Sequence, residues 1–114
     1  MENIRKRIER GIEDMGGYNS EDFKKLAGEF KKEMTKQLKT IDAKITAYSV
    51  GHYYVSGFFR TSNDKCYYFS LSDIRNGFVE NLLYRTAEHE KDYSGGSNQY
   101  VTLNNETVES MWLK

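Results

Sequence analysis

His52-Tyr53-Tyr54-Val55-Ser56-Gly57-Phe58-Phe59-Arg60-Thr61-Ser62-Asn63-Asp64-Lys65-Cys66-Tyr67-Tyr68-Phe69-Ser70-Leu71-Ser72 is the stretch that decides the fold. Two runs rich in aromatic and β-branched residues, 52–60 and 65–72, flank the turn formers Thr61-Ser62-Asn63-Asp64. So short a connection joins antiparallel strands, because a parallel crossover needs about a dozen residues or more. The pair therefore predicts a β-hairpin.

The same texture extends to both sides. Ala43–Val50, Leu82–Ala87 and Gln99–Leu103 are further short runs bounded by turn residues, and Asn76-Gly77 marks another turn. The spacing favours an antiparallel meander. Glu106–Leu113 reads as a short closing helix or a strand, with Val108, Met111 and Trp112 as packing residues.

Before residue 43 the period changes. Ile4, Ile8, Ile12 and Met15 share one helical face, and Gly16-Gly17 supplies the glycine that commonly ends a helix. Asn19 or Ser20 can cap a second helix, with Glu21 and Asp22 complementing its dipole. Phe23, Leu26, Ala27, Phe30, Met34, Leu38 and Ile41 form its apolar stripe, opposite Lys24, Lys25, Lys31, Lys32 and Lys36. The expectation is an α+β fold in a single domain, 1–114. Two N-terminal amphipathic helices (1–42) precede an antiparallel sheet of five to six strands (43–114). Helices on one face leave the other to solvent or to a second chain. The aromatic load after residue 44, where only Tyr18, Phe23 and Phe30 precede it, favours burial in a homodimer or larger oligomer.

Composition excludes several classes. Lys and Arg total 17 and so do Asp and Glu, which argues against a basic nucleic-acid binder. No apolar run is long enough to span a bilayer and no signal-peptide pattern opens the chain, so a cytoplasmic setting is expected. The lone Cys66 forms no internal disulfide and no multi-cysteine zinc site. In a strand it reads as a half-buried core residue rather than a nucleophile, with only His52 and His89 as possible bases. His89 and Asp92 are three apart without a third ligand, so no metal is expected. Carboxylate pairs, Ser-His-Asp order, a Walker lysine loop and GxGxxG are all missing, which points to a binding protein with no cofactor rather than an enzyme.

The remaining chemistry lies around Ser72–Phe78 and Leu83–Asn98. Arg75 and Arg85 stand at or beside strands, where a guanidinium fork suits phosphate oxygens and stacks on a base. Phe78, Tyr84 and Tyr93 are stacking candidates or ordinary sheet packing. Asp73 and Asp92 either pair with those arginines or accept from ribose hydroxyls. Gly95-Gly96, beside Asn98, either turns backbone N–H groups toward a ligand or closes a polar hairpin loop. Arg5 and Arg7, with Lys6 and Arg10, offer a second phosphate site, or are a solvated face paired with Glu2, Glu9, Glu13 and Asp14.

Phe58-Phe59-Arg60, Ser72-Asp73-Ile74-Arg75, Leu83-Tyr84-Arg85-Thr86-Ala87 and Asp92-Tyr93-Ser94-Gly95-Gly96-Ser97-Asn98 resemble the Thoeris anti-defence family, first type. These are phage sponge proteins that sequester cyclic ADP-ribose isomers made by bacterial TIR-domain enzymes. The resemblance implies ligand pockets at a dimer interface, built from arginine, aromatic, asparagine and aspartate side chains, in the cytoplasm of an infected host. Some members form hexamers and bind cyclic trinucleotides at a separate site, which would give Arg5 and Arg7 a role. Two other classes stay open. One is a phage or mobile-element inhibitor that blocks a defence protein, such as a nuclease, through its aromatic sheet face. The other is an enzyme that cleaves a nucleotide signal.

Overall fold

The computed structural model describes residues 20–51, 54–71 and 81–113. One helix, α1 (Ser20–Lys39), leads into five strands: β1 (Lys44–Val50), β2 (Val55–Arg60), β3 (Cys66–Leu71), β4 (Asn81–Ala87) and β5 (Gln99–Thr102). They form one sheet in the order β1-β2-β3-β4-β5, and every neighbouring pair is antiparallel. The α+β meander expected from the sequence is present. The first expected helix, the cap at Asn19, the side chain of Phe23, His52 and the turn at Asn76-Gly77 lie outside the described residues.

α1 forms because its stripe can be buried. Leu26, Ala27, Phe30, Met34 and Leu38 are fully buried, while Lys24, Lys25, Lys31, Lys32 and Lys36 are exposed. The helix ends without glycine. Asp42 takes the left-handed conformation (φ 55°), the Ala43 N–H donates to Leu38 O (2.9 Å), and the Asp42 N–H donates to Lys39 O (3.2 Å). These are the two bonds of a Schellman cap, and Leu38 and Ala43 are both buried beside it.

Strand alternation sends Val55, Phe59, Tyr67, Phe69, Leu71, Leu82, Tyr84 and Val101 toward the helix. Gly57 stands among them because a Cβ there would sit 2.7 Å from the Phe69 ring, which lies across β2. The Tyr48 hydroxyl donates to Ala27 O at 2.7 Å and ties β1 to the helix; burial pushes its phenol well above the ordinary value.

The β2–β3 hairpin turns through Thr61–Lys65. The Thr61 N–H donates to Lys65 O (3.0 Å), the Asp64 N–H donates to Thr61 O (2.9 Å), and Asp64 is left-handed (φ 65°).

The C-terminal segment departs from expectation. Glu106–Leu113 contains hydrogen-bonded turns and neither a helix nor a strand. Val108 and Met111 are buried as expected, but Trp112 is 68% exposed. A buried clasp holds the segment: Gln37 of α1 donates from Nε2 to Asn104 O (3.0 Å) and accepts the Val108 N–H at Oε1 (2.9 Å). That clasp satisfies a buried N–H and a carbonyl in a segment that has neither helix nor sheet ladder to pair them.

Candidate functional site

The sheet face turned away from α1 carries a cross-strand row, Ala47–Phe58–Tyr68–Arg85, in register over β1 to β4. Residues directly opposite across antiparallel strands lie close enough for their side chains to pack. Phe58 and Tyr68 meet with ring centroids 5.2 Å apart, and the Arg85 guanidinium lies 4.3 Å from the Tyr68 ring centroid. A planar cation over an aromatic face gains electrostatic attraction and is fixed in orientation.

The loop joining β4 to β5, residues 88–98, folds back over this row. Tyr93 sets its ring edge-on to Phe58 (5.4 Å) and Tyr68 (5.9 Å). Phe58 is only 1% exposed, on a face that no helix among the described residues covers. Arg85 ties the loop down at two points: Nη1 donates to Asn98 Oδ1 at 3.1 Å and Nη2 donates to the Tyr93 carbonyl. Its Nε–H is buried without an acceptor. Arg85, Tyr93 and Asn98, separated in sequence, are therefore one cluster. Arg75, Phe78, Asp73, Arg5 and Arg7 lie outside the described residues.

Asp92 does not pair with Arg85. Its carboxylate accepts the N–H groups of Glu88 (3.0 Å), Ser94 (3.2 Å) and Gly95 (2.9 Å), which hold it below the usual carboxylate range. It organises the loop from within. Gly96 (φ +71°) brings the loop onto β4, since a Cβ there would stand 2.6 Å from Thr86 Oγ1 and 2.8 Å from Thr86 O. The Gly95 N–H is committed to Asp92, so the glycine pair shapes the loop rather than presenting both amides outward.

Sequence reasoning missed a second anchor. Glu90 accepts two bonds from Arg60, at Nε (2.6 Å) and Nη2 (2.9 Å), and a third from Thr46 Oγ1 (2.8 Å). The Arg60 contact, aided by Thr46, pulls the Glu90 carboxyl down to about 2 and raises the already high value of Arg60. Nothing in the run Glu88–Asp92 distinguishes the acid that reaches back to β2. Cys66 lies beneath it, Sγ 3.7 Å from Glu90 Oε2, and burial together with that carboxylate pushes the thiol up to about 11. It is buried, as expected of a packing residue. His89 is an exposed loop residue whose Nδ1 accepts the Lys91 N–H at 3.1 Å. Among the described residues no group of three or more His, Cys, Asp or Glu could hold a metal.

A cavity of about 270 Å³, lined among others by Tyr67, Tyr84, Arg85, Gly96, Gln99 and Trp112, opens at β4 among strand residues that alternate toward the helix side, across the sheet from the Arg85 guanidinium. The Trp112 N–H donates to the Tyr84 hydroxyl at 2.8 Å, which fixes the C-terminal segment against β4. Gln99 and Trp112 were not among the site residues read from the sequence. No helix of the described residues is long and apolar enough to cross a membrane. The chain matches no protein-family model, no curated protein and no solved structure, so its chemistry rests on the geometry of this cluster.

Proposed function

We propose that the protein binds and sequesters a cyclic ADP-ribose-type nucleotide without cleaving it, in the cytoplasm of a phage-infected bacterium. The observation that carries this reading is the state of Arg85. Its guanidinium lies over the Tyr68 ring, its Nε–H has no acceptor, and a loop carbonyl holds the neighbouring Nη2. Nε and Nη2 form the side-on fork that takes the two oxygens of a phosphate. An incoming phosphate replaces the Tyr93 carbonyl and supplies the missing acceptor.

The surroundings suit such a ligand. Phe58, Tyr68 and Tyr93 stand around the guanidinium, further aromatic side chains line the cavity across the sheet, and among the described residues the one cysteine, Cys66, is buried with its thiol pushed up to about 11. A volume of about 270 Å³ lies just under the range of about 300–1,000 Å³ usual for whole ligands. A dinucleotide-sized molecule therefore extends beyond it, and a second copy of the chain is proposed to enclose the remainder, in a dimer or hexamer. Arg75 and Phe78 are assigned to the same ligand by sequence alone, as are Arg5 and Arg7 to a second site for cyclic trinucleotides.

Calorimetric titration with cyclic ADP-ribose isomers tests the reading. Arg85→Ala is expected to weaken binding by about 10- to 100-fold, the scale of charge-assisted hydrogen bonds. The ligand should be recovered chemically intact. Absence of binding to every isomer would sink the proposal. The competing reading, an inhibitor that docks on a defence protein, draws on the exposure of Tyr100 (62%) and Tyr93 (59%). Stoichiometric capture of a host protein, with no nucleotide bound, would favour it.

A further inference from the structure

We infer that a row of serines one step along the sheet from Arg85 receives a ribose of the ligand, with Ser56 and Ser70 bonding the sugar hydroxyls. The inference rests on the nucleotide-binding reading above and names the part of the ligand this stretch of sheet takes.

Register places the row. Ser49, Ser56, Ser70, Leu83 and Tyr100 stand opposite one another across all five strands. Ser56 and Ser70 lie two positions from Phe58 and Tyr68 on the same strands, so they share the face turned away from α1. Leu83 stands in the same relation to Arg85, which sets this row about 7 Å along the strands from the one that carries the guanidinium. A 5′-phosphate and the hydroxyls of its own ribose are separated by a comparable length. Height is the second argument. Phe58, Tyr68 and Tyr93 pack their rings together beside a pair of short side chains, so the surface steps down from an aromatic wall to a polar floor.

The third argument is independent of shape. Ser56 and Ser70 are each only 8% exposed, yet among the described residues neither hydroxyl has a hydrogen-bond partner. Hydroxyl side chains that face each other across strands ordinarily bond one another, and recessed polar groups are rarely left unpaired. Each serine hydroxyl can donate and accept, as can each hydroxyl of a vicinal diol. These neutral groups suit a sugar and leave the phosphate charge to Arg85. Leu83, half-buried in the same row, offers carbon surface to the C–H face of the ring.

Adenosine monophosphate and its 2′-deoxy and 3′-deoxy forms are titrated by NMR into wild type and into the Ser56→Ala/Ser70→Ala double variant. Wild type should bind the parent about 2- to 10-fold more tightly than at least one deoxy form, the worth of one neutral hydrogen bond. The double variant should lose that preference. Its melting temperature should match or exceed that of wild type, because the hydroxyls it lacks hold nothing in the sheet. A lower melting temperature would assign them to the fold and overturn the inference, as would a preference that survives in the double variant. Cyclic ADP-ribose isomers titrated in parallel separate the two readings. If an isomer binds and wild type shows no preference for the parent nucleotide, the serine row fails while the nucleotide reading stands. If the serine-dependent preference is present but no isomer binds, the row stands and the sequestration reading fails. If no nucleotide binds, both are overturned.

Discussion

Replacing Gly96 with alanine should unseat the loop that carries the site. Gly96 lies at φ +71°, where an L-residue costs about 1–2 kcal/mol. The added Cβ would stand 2.6 Å from Thr86 Oγ1, 2.8 Å from Thr86 O and 3.2 Å from Thr86 N. The hydroxyl can rotate away, but the carbonyl and amide belong to β4 and are held by the sheet. Relieving that contact by lifting the loop or shifting the strand costs a further ~1–3 kcal/mol. The expected loss is about 2–5 kcal/mol, or a fall in Tm of at least about 8 °C at roughly 4 °C per kcal/mol. Urea denaturation followed by circular dichroism measures it, with the midpoint moving and the slope unchanged. Gly28→Ala is the matched control. Gly28 lies exposed in α1 with nothing within 4 Å of its Cβ position, so there the same substitution should stabilise by about 1 kcal/mol. A Gly96→Ala protein within about 0.5 kcal/mol of wild type would refute the close packing of loop on strand.

Glu90 gives the fold a pH signature. Its carboxyl sits near 2 in the folded chain against an ordinary 4.5, so its contribution is complete above about 4.5 and is lost as pH falls toward 2. Asp92, also lowered, acts in the same direction. Denaturation midpoints between pH 5 and 2 should fall more gently for Glu90→Gln than for wild type, and equal slopes would contradict the Arg60–Glu90 bond. Asp42→Gly should stabilise the chain by about 0.5–1 kcal/mol in thermal melts, because Asp42 closes the Schellman cap at φ 55°. A loss of stability there would mean that the aspartate side chain matters to the cap.

The strands were legible because each announces itself locally. The alternation in Val55–Arg60 and Cys66–Leu71, with Thr61–Asp64 between them, encodes a hairpin within about twenty residues. The stripe Leu26–Leu38 encodes its helix with the same economy. The site was legible in part. Arg85, Tyr93 and Asn98 belong together, but the sequence gives no reason why Asp92 turns inward to three amides while Glu90 reaches Arg60, thirty positions away. Several carboxylates lie within the same short stretch, and loop closure selects among them. Trp112 was misjudged for a similar reason. Apolarity argues for burial, but Gln37 docks the C-terminal segment in a pose that leaves the indole at the cavity rim.

The sequence by itself determined the helix stripe, the strands and their antiparallel order, because periodicities of 3.6 and 2 residues and short turns are local properties. Only the tertiary structure decided that the Leu83–Asn98 stretch folds back over its own sheet. There Tyr93 covers Phe58, Arg85 lies on Tyr68 with one N–H unanswered, and a cavity opens beside Trp112. Those outcomes depend on which side chains a closing loop brings within a few ångströms, and chain distance carries no record of that.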